Sequence, residues 1–283
     1  MLQATASYIR AVDARCADLP ETLSALRRMT LDEFGLLLLN LPNPELPHLS
    51  ALLPRATPDE IQQKWTGASG EPLLQQSTAF VGFAALNYAT LTGRNVREAR
   101  VLDFGCGYGR LLRLMPYFVE PENLYGCDAW ANSLGHAREA QLLAQLSLSD
   151  VFPADLPFEG TTFDFIYAFS IFTHLSERAA SAALGAFRKR ISPDGLAIIT
   201  IRPPEFWPFI GARRNADYSE LAQAHRSVGF AFLNANPDVP DAAYGDVSMS
   251  EAYLAEKFPE WQVARIGHDP IDPYQVLVCL RPR

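Results

Sequence analysis

Apolar positions along this chain fall into successive textures. Up to about residue 95 they recur at helical spacing between polar caps. Thr30 and Glu33 stand at capping-box spacing ahead of "FGLLLL". Thr57, Pro58 and Glu60 form a second start signal, with threonine as N-cap, proline at N1 and glutamate at N3. That helix is expected to run to about Trp65. "TGASGEP" reads as a loop, and "LLQQSTAFVGFAALNYATLTG" as a long, mostly apolar helix stopped by Gly93.

From residue 100 to 202 the texture changes to short apolar strands alternating with helical segments. "RVLDFG" is a strand, "RLLRLMPYF" a helix ended near Pro116, and "NLYGCD" a second strand. "ANSLGHAREAQLLAQL" is an amphipathic helix, "LSLSD" a short third strand and "FDFIYAFS" a fourth. "SERAASAALGAFRKRIS" is a helix opened by Ser176, and Pro193-Asp194-Gly195 turns the chain into "LAIITI", the fifth strand. This alternation predicts a parallel sheet covered by helices on both faces. Residues 203–260 break the rhythm and are rich in proline and aromatics. "WQVARIG" and "YQVLVCL" then pair as an antiparallel hairpin. The resulting division is a helical region at 1–95, a core at 96–202 and 261–283, and an insertion at 203–260.

Composition narrows the function classes. With 48% apolar and 20% charged residues the chain is an ordinary globular protein, large enough to fold on its core alone. A net charge of -8 argues against a duplex nucleic acid partner. The compact basic cluster Arg188-Lys189-Arg190 ends a helix, where cations suit the dipole. The four cysteines make no C-x-x-C pair, and Cys106, Cys127 and Cys279 read as small buried thiols, which fits a reducing cytoplasm. The N-terminal stretch lacks a signal peptide's basic start and apolar core, and no apolar run is long enough for a bilayer. No acid cluster suggests a metal.

The stretch "VLDFGCGYGR" looks built for a ligand. Glycine permits tight turns and close approach to the backbone, and a loop at the end of a first strand borders the ligand crevice of an open sheet. About twenty residues on, Asp128 ends the second strand, where a carboxylate accepts from ribose hydroxyls. A nicotinamide loop reads G-x-G-x-x-G. Here the third glycine, Gly109, comes one residue early and Arg110 takes the sixth position. Asp103 stands directly in front of the loop, where it repels a pyrophosphate and favours a cationic, amine-bearing cofactor.

With these residues the sequence resembles the class I S-adenosylmethionine-dependent methyltransferases. "VLDFGCGYGR" resembles their first motif and "LYGCD" their second-strand acid. "LPFEGTTFDFIYAFSIFTHL" is similar to their fourth-strand segment and "SPDGLAIITI" to their fifth. The resemblance implies an α/β, Rossmann-like sheet of seven strands, six parallel and the seventh antiparallel. It implies a helical N-terminal region and an insertion between strands five and six.

S-adenosylmethionine is the implied cofactor. Gly105, Gly107 and Gly109 are expected along its methionine and ribose, with Asp103 near the amino group. Asp128 is expected on the ribose, and Ala129 and Trp130 beside the adenine. Asp155 or Asp150 is expected at the adenine amine, or Phe152 against the ring, and Ser170 at the sulfur. His174 is the candidate base for a hydroxyl acceptor, or else a residue that orients its loop. Residues 64–77 are a candidate cofactor lid, and the insertion a candidate acceptor-binding cap.

The lid stretch is also similar to segments of bacterial methyltransferases encoded near polysaccharide genes, which implies a saccharide or another small polar acceptor. Two further readings stay open at this point. One is a protein that binds the cofactor for regulation without methyl transfer; the other is a nicotinamide-dependent dehydrogenase.

Overall fold

In the computed structural model, residues 3–235 and 242–283 are described. The main sheet has seven strands: β1 (Val101–Phe104), β2 (Leu124–Asp128), β3 (Gln145–Leu148), β4 (Phe163–Ala168), β5 (Ile191–Ile201), β8 (Trp261–His268) and β9 (Val276–Pro282). Their order is β3-β2-β1-β4-β5-β9-β8. β9 runs antiparallel to both β5 and β8, as expected of the closing hairpin. β1 and β4 are buried along their whole length. Strands covered on both faces read as unbroken apolar runs, which is why both stood out in the sequence. β3 lies at the edge of the sheet and is half exposed, and its signal is correspondingly weak.

The chain forms two compact units. One comprises residues 1–89 and 94–148, the other 90–93 and 149–283. This division runs between β3 and β4 rather than at the edges of the sequence-based core.

In the first unit, α1 (Gln3–Arg15), α2 (Leu19–Leu26), α3 (Leu31–Leu39), α4 (Pro47–Leu52), α5 (Asp59–Thr66) and α6 (Gly70–Thr92) precede β1. α3 carries the expected capping box, with Thr30 and Glu33 bonded in both directions. α5 departs from expectation: its N-cap is Pro58 and no side chain caps it. Thr57 uses its carbonyl instead, accepting from the buried Gln62 amide. The expected loop before α6 shrinks to residues 67–69.

Two more segments differ from the sequence reading. After the glycine loop there is no α-helix but a run of turns ending in a short 3-10 segment, Met115–Tyr117. Pro116 supplies no N–H, and most of the bonds here span three residues, as from Leu114 to Leu111 and from Tyr117 to Leu114. α7 (Ala131–Glu139) is shorter than its pattern suggested. Gln141 turns left-handed just beyond it, and the Ala140 carbonyl accepts from Arg55 N–H instead of prolonging the helix.

In the second unit, α8 (Glu177–Arg190) is capped by Ser176 as expected and leads into β5. Pro193-Asp194-Gly195 is not a turn before the strand but a bulge within it, where the register slips from Ile191 to Leu196. The insertion contains α9 (Phe206–Arg214), α10 (Ser219–Val228), β6 (Phe230–Asn234), β7 (Gly245–Met249) and α11 (Glu251–Lys257). β6 and β7 make a separate antiparallel pair. Phe206, Trp207, Ala222 and Ala231 form a small core there, so part of the aromatic run serves its own packing.

Candidate active site

The loop leaving β1 is held from below by β2. Gly105 N and Cys106 N both donate to Cys127 O, at 2.8 and 3.0 Å. Gly107 N then donates to Asp128 Oδ2 at 2.9 Å. Oδ1 of the same carboxylate accepts from Trp130 N at 2.8 Å and Ser133 Oγ at 3.2 Å. Asp128 thus pins the glycine loop and the first turn of α7 in one orientation. Burial raises its pKa from the ordinary aspartate value, while the N–H groups of Trp130 and Gly107 and the Ser133 hydroxyl pull the other way. A carboxylate offers about four acceptor positions, so three internal bonds leave room for a ligand hydroxyl.

Gly107 and Gly109 show why this loop needs glycine. Gly107 has φ +57° and nothing within 4 Å of where a Cβ would stand, so the backbone is open on that side. Gly109 has φ +85°, and a Cβ there would run into Leu142. One glycine leaves space for a ligand; the other lets α7's trailing segment pack.

Asp103, on β1, is buried at 2% exposure. Arg113 is buried too, and its Nε has no hydrogen-bond partner among the described residues. Burial lowers the Arg113 pKa. Burial pushes the Tyr108 phenol up, against the pull of Arg110, Arg113 and the Thr66 hydroxyl. Arg110 donates to Gln76 Oε1 of α6 at 2.8 Å. Ala129 is half-buried and Trp130 is 49% exposed, with its indole edge-to-face with Trp65 at 5.6 Å.

In the second unit the segment after β4 carries the other expected residues. Ser170 is left-handed at φ 59°. Its N–H donates to Thr200 Oγ1 at 2.7 Å, and Gln275 Nε2 donates to its Oγ at 3.2 Å. Thr200 on β5 and Gln275, just ahead of β9, therefore fix one serine beyond the carboxyl end of β4.

His174 lies four residues on, with both ring nitrogens engaged. Nδ1 donates to Gly245 O at 2.7 Å, which leaves Nε2 to accept from Arg202 at 3.2 Å. Arg202 and Arg214 share Asp246, each at 2.7–2.8 Å, and the Tyr244 ring stacks on the imidazole. Burial and the Arg202 charge hold His174 down to about 4. A neutral ring with both nitrogens occupied orients its loop. Of the two roles expected for His174, this geometry favours positioning over proton abstraction.

Asp155 must be corrected. It forms a two-point ion pair with Arg190, at 2.7 and 2.8 Å, and this pair lowers its pKa. Arg190 directly precedes β5, so Asp155 sits by the amino end of that strand, whereas ligands of open α/β sheets bind beyond the carboxyl ends. The charge on α8's last turn attracts it there, which sequence spacing does not reveal. Phe152 has the Arg178 guanidinium over its ring at 4.3 Å. Asp150 is exposed just beyond β3.

His225 is buried in the insertion and bonds Ser248 Oγ, as Trp207 Nε1 does. Sequence reasoning missed Arg202, although a charge ending the apolar run "AIITI" was a legible signal. It also missed Ser133, Gln275 and Asp246, whose positions only folding brings to their partners.

Among the described residues no group of side chains is arranged to hold a metal, and no helix is long and apolar enough to cross a membrane.

Residues 101–195 match the sequence model of a family described as a methyltransferase domain. No curated protein matches the chain. Among solved structures, magnesium protoporphyrin IX methyltransferase from Synechocystis PCC 6803 with bound S-adenosylhomocysteine superposes with a TM-score of 0.50 at 16% identity, covering 78% of this chain and 92% of that one. A S-adenosylmethionine-dependent methyltransferase from Clostridium acetobutylicum gives 0.51 at 13% identity, covering 79% and 96%. These likenesses establish the seven-stranded fold, and the family match covers the stretch that holds the glycine loop and Asp128. Residues 101–195 therefore match a methyltransferase domain, set in a fold that these two methyltransferase structures share.

Proposed function

We propose that this protein binds S-adenosylmethionine and transfers its methyl group to a small-molecule or saccharide acceptor, on oxygen. The observation that carries the donor half is the Asp128 carboxylate, fixed by Gly107 N, Trp130 N and Ser133 with acceptor capacity left over. The side chains present fit such a donor. It brings a carboxylate for the buried, unpaired Arg113 Nε and ribose hydroxyls for Asp128. The open backbone at Gly107 leaves its chain room. Asp103 is assigned to the amino group, Ala129 and Trp130 to the adenine with Phe152, Gly105 and Gly109 to the turn itself, and Ser170 to the sulfur end.

When bound, the sulfonium supplies an electrophilic methyl group. The protein's part in an in-line displacement is to align an acceptor and keep water away. Ser170, held by Thr200 and Gln275, gives the end of β4 one fixed shape. His174, locked between Gly245 and Arg202, holds the following turn. Support for a sugar or ring acceptor comes from aromatic faces on the insertion: Phe209 stacks on Tyr274 at 4.4 Å and is partly exposed, and Tyr244 is 43% exposed.

The test is transfer of label from methyl-labelled S-adenosylmethionine into a panel of sugar nucleotides, glycans and phenols. Label in an ether-type product supports the reading; label on nitrogen or carbon redirects it. A second reading, a protein that binds the cofactor without transfer, is favoured by the engagement of both His174 nitrogens, which leaves that ring no free lone pair with which to take a proton. It predicts tight binding and no labelled product from any acceptor.

A further inference from the structure

We infer that Trp65, on α5, is a wall of the nucleoside pocket, so that the N-terminal helices contribute directly to donor binding. This rests on the reading of the Asp128 site as a S-adenosylmethionine site.

Four observations within the first unit converge. The Trp65 and Trp130 rings meet edge-to-face at 5.6 Å and 66°. Trp130 is not free to wander, because its own N–H is bonded to Asp128 Oδ1. The indole pair is therefore indexed to the carboxylate assigned to the ribose. Next, α5 has little else to hold it. Of its eight residues only Gln62 is buried, and that amide is spent on Thr57 O, Asp59 and Gly70 N. A helix with so little buried apolar surface belongs to the low-stability end of a structure, where ligand-binding elements are found.

Third, α5 is joined to α6 by residues 67–69 between two left-handed glycines, Gly67 at φ 75° and Gly70 at φ 63°. Gly70 N donates to Gln62 Oε1 across this link, which sets the place of α5 ahead of α6. Fourth, α6, which α5 leads into, lies along the glycine loop: Gln76 Oε1 and Ser77 Oγ accept from Arg110.

The chemistry of this corner selects the ligand. A carboxylate with spare acceptor capacity takes vicinal hydroxyls, and a half-exposed indole takes a flat ring. Together they suit a purine nucleoside. Trp65 closes the second side of that ring, and α5 settles when the ring is in place.

The experiment uses the full chain with S-adenosylhomocysteine and, separately, adenosine as probes. Calorimetry compares wild type with Trp65→Ala and Trp65→Phe. Trp65→Ala is expected to weaken both probes by about ten-fold, in line with aromatic–base stacking, while Trp65→Phe keeps most of the affinity. Equal loss for adenosine separates a nucleoside contact from a general loosening of the site.

Tryptophan emission supplies a second readout, since Trp207 and Trp261 are fully buried. In Trp130→Phe, adding S-adenosylhomocysteine should still change the emission, through Trp65; in Trp65→Phe/Trp130→Phe the change should vanish. Should Trp65→Ala fail to fold, the emission of Trp130→Phe decides, and a probe-insensitive signal there overturns the inference. Unchanged affinity in folded Trp65→Ala overturns it as well, while leaving the cofactor site intact. Absence of binding by wild type removes the cofactor reading, and this inference with it.

Discussion

Asp128 makes three internal hydrogen bonds from a buried position, and its raised pKa gives ligand binding a pH dependence. Only the ionised carboxylate accepts on both oxygens. S-adenosylhomocysteine affinity should therefore fall as pH drops from neutral into the range where this carboxyl takes up its proton. Asp128→Ala should weaken binding by about ten- to a hundred-fold, the worth of hydrogen bonds to a charged group. Titration calorimetry of wild type and variant checks both; a flat pH profile together with unchanged affinity would refute the ribose role.

The glycines separate fold from function. Gly109→Ala combines left-handed strain, about 1–2 kcal/mol, with a clash against Leu142, so its thermal midpoint should drop clearly. Gly107→Ala bears the same kind of strain but meets open space, so it should fold and yet lose S-adenosylhomocysteine.

His174 offers a third test at this scale. Its folded pKa of about 4 lies below the ordinary 6.5. Between these values the unfolded chain binds a proton that the folded protein refuses. Stability from this residue is complete above the higher value and is lost as pH falls toward the lower. His174→Asn should flatten that acid decline in denaturant titrations; an identical pH slope would show that the ring is not held neutral. The spacing of Asp128 from the glycines was legible in the sequence. Ser133, Arg202 and Asp246 were not, because their partners lie on other elements, and Asp155 misled because Arg190 claims it.

At the scale of elements, local signals succeeded where local forces decide. Thr30 and Glu33 cap α3 within a single turn, as their spacing indicated. Thr30→Ala should lower stability by about 1 kcal/mol, measurable by chemical denaturation, with S-adenosylhomocysteine binding unchanged. Where tertiary contacts intervene, the pattern failed. The amphipathic run through Leu143 ends early because Arg55 N–H takes the Ala140 carbonyl. The Thr57 cap is lost because Gln62 draws its backbone. The segment after the glycine loop is apolar at helical spacing but too short ahead of Pro116 to form an α-helix.

For the molecule as a whole, buried strands in alternation with helices carried most of the information. β1, β2, β4 and β5 are apolar runs that announce a covered sheet, and the closing hairpin announces its antiparallel edge. The boundaries of the two compact units were not legible, since they run between β3 and β4 rather than along any change of composition. The acceptor is equally absent from the pattern, because no motif encodes it.

The central claim is that the glycine loop and Asp128 hold S-adenosylmethionine. Isothermal titration of the full chain with S-adenosylmethionine and S-adenosylhomocysteine tests it most directly. The account predicts saturable binding of both at one site per chain, weakened in Asp128→Ala. Folded protein that takes up neither ligand, or that binds a nicotinamide dinucleotide instead, would contradict it.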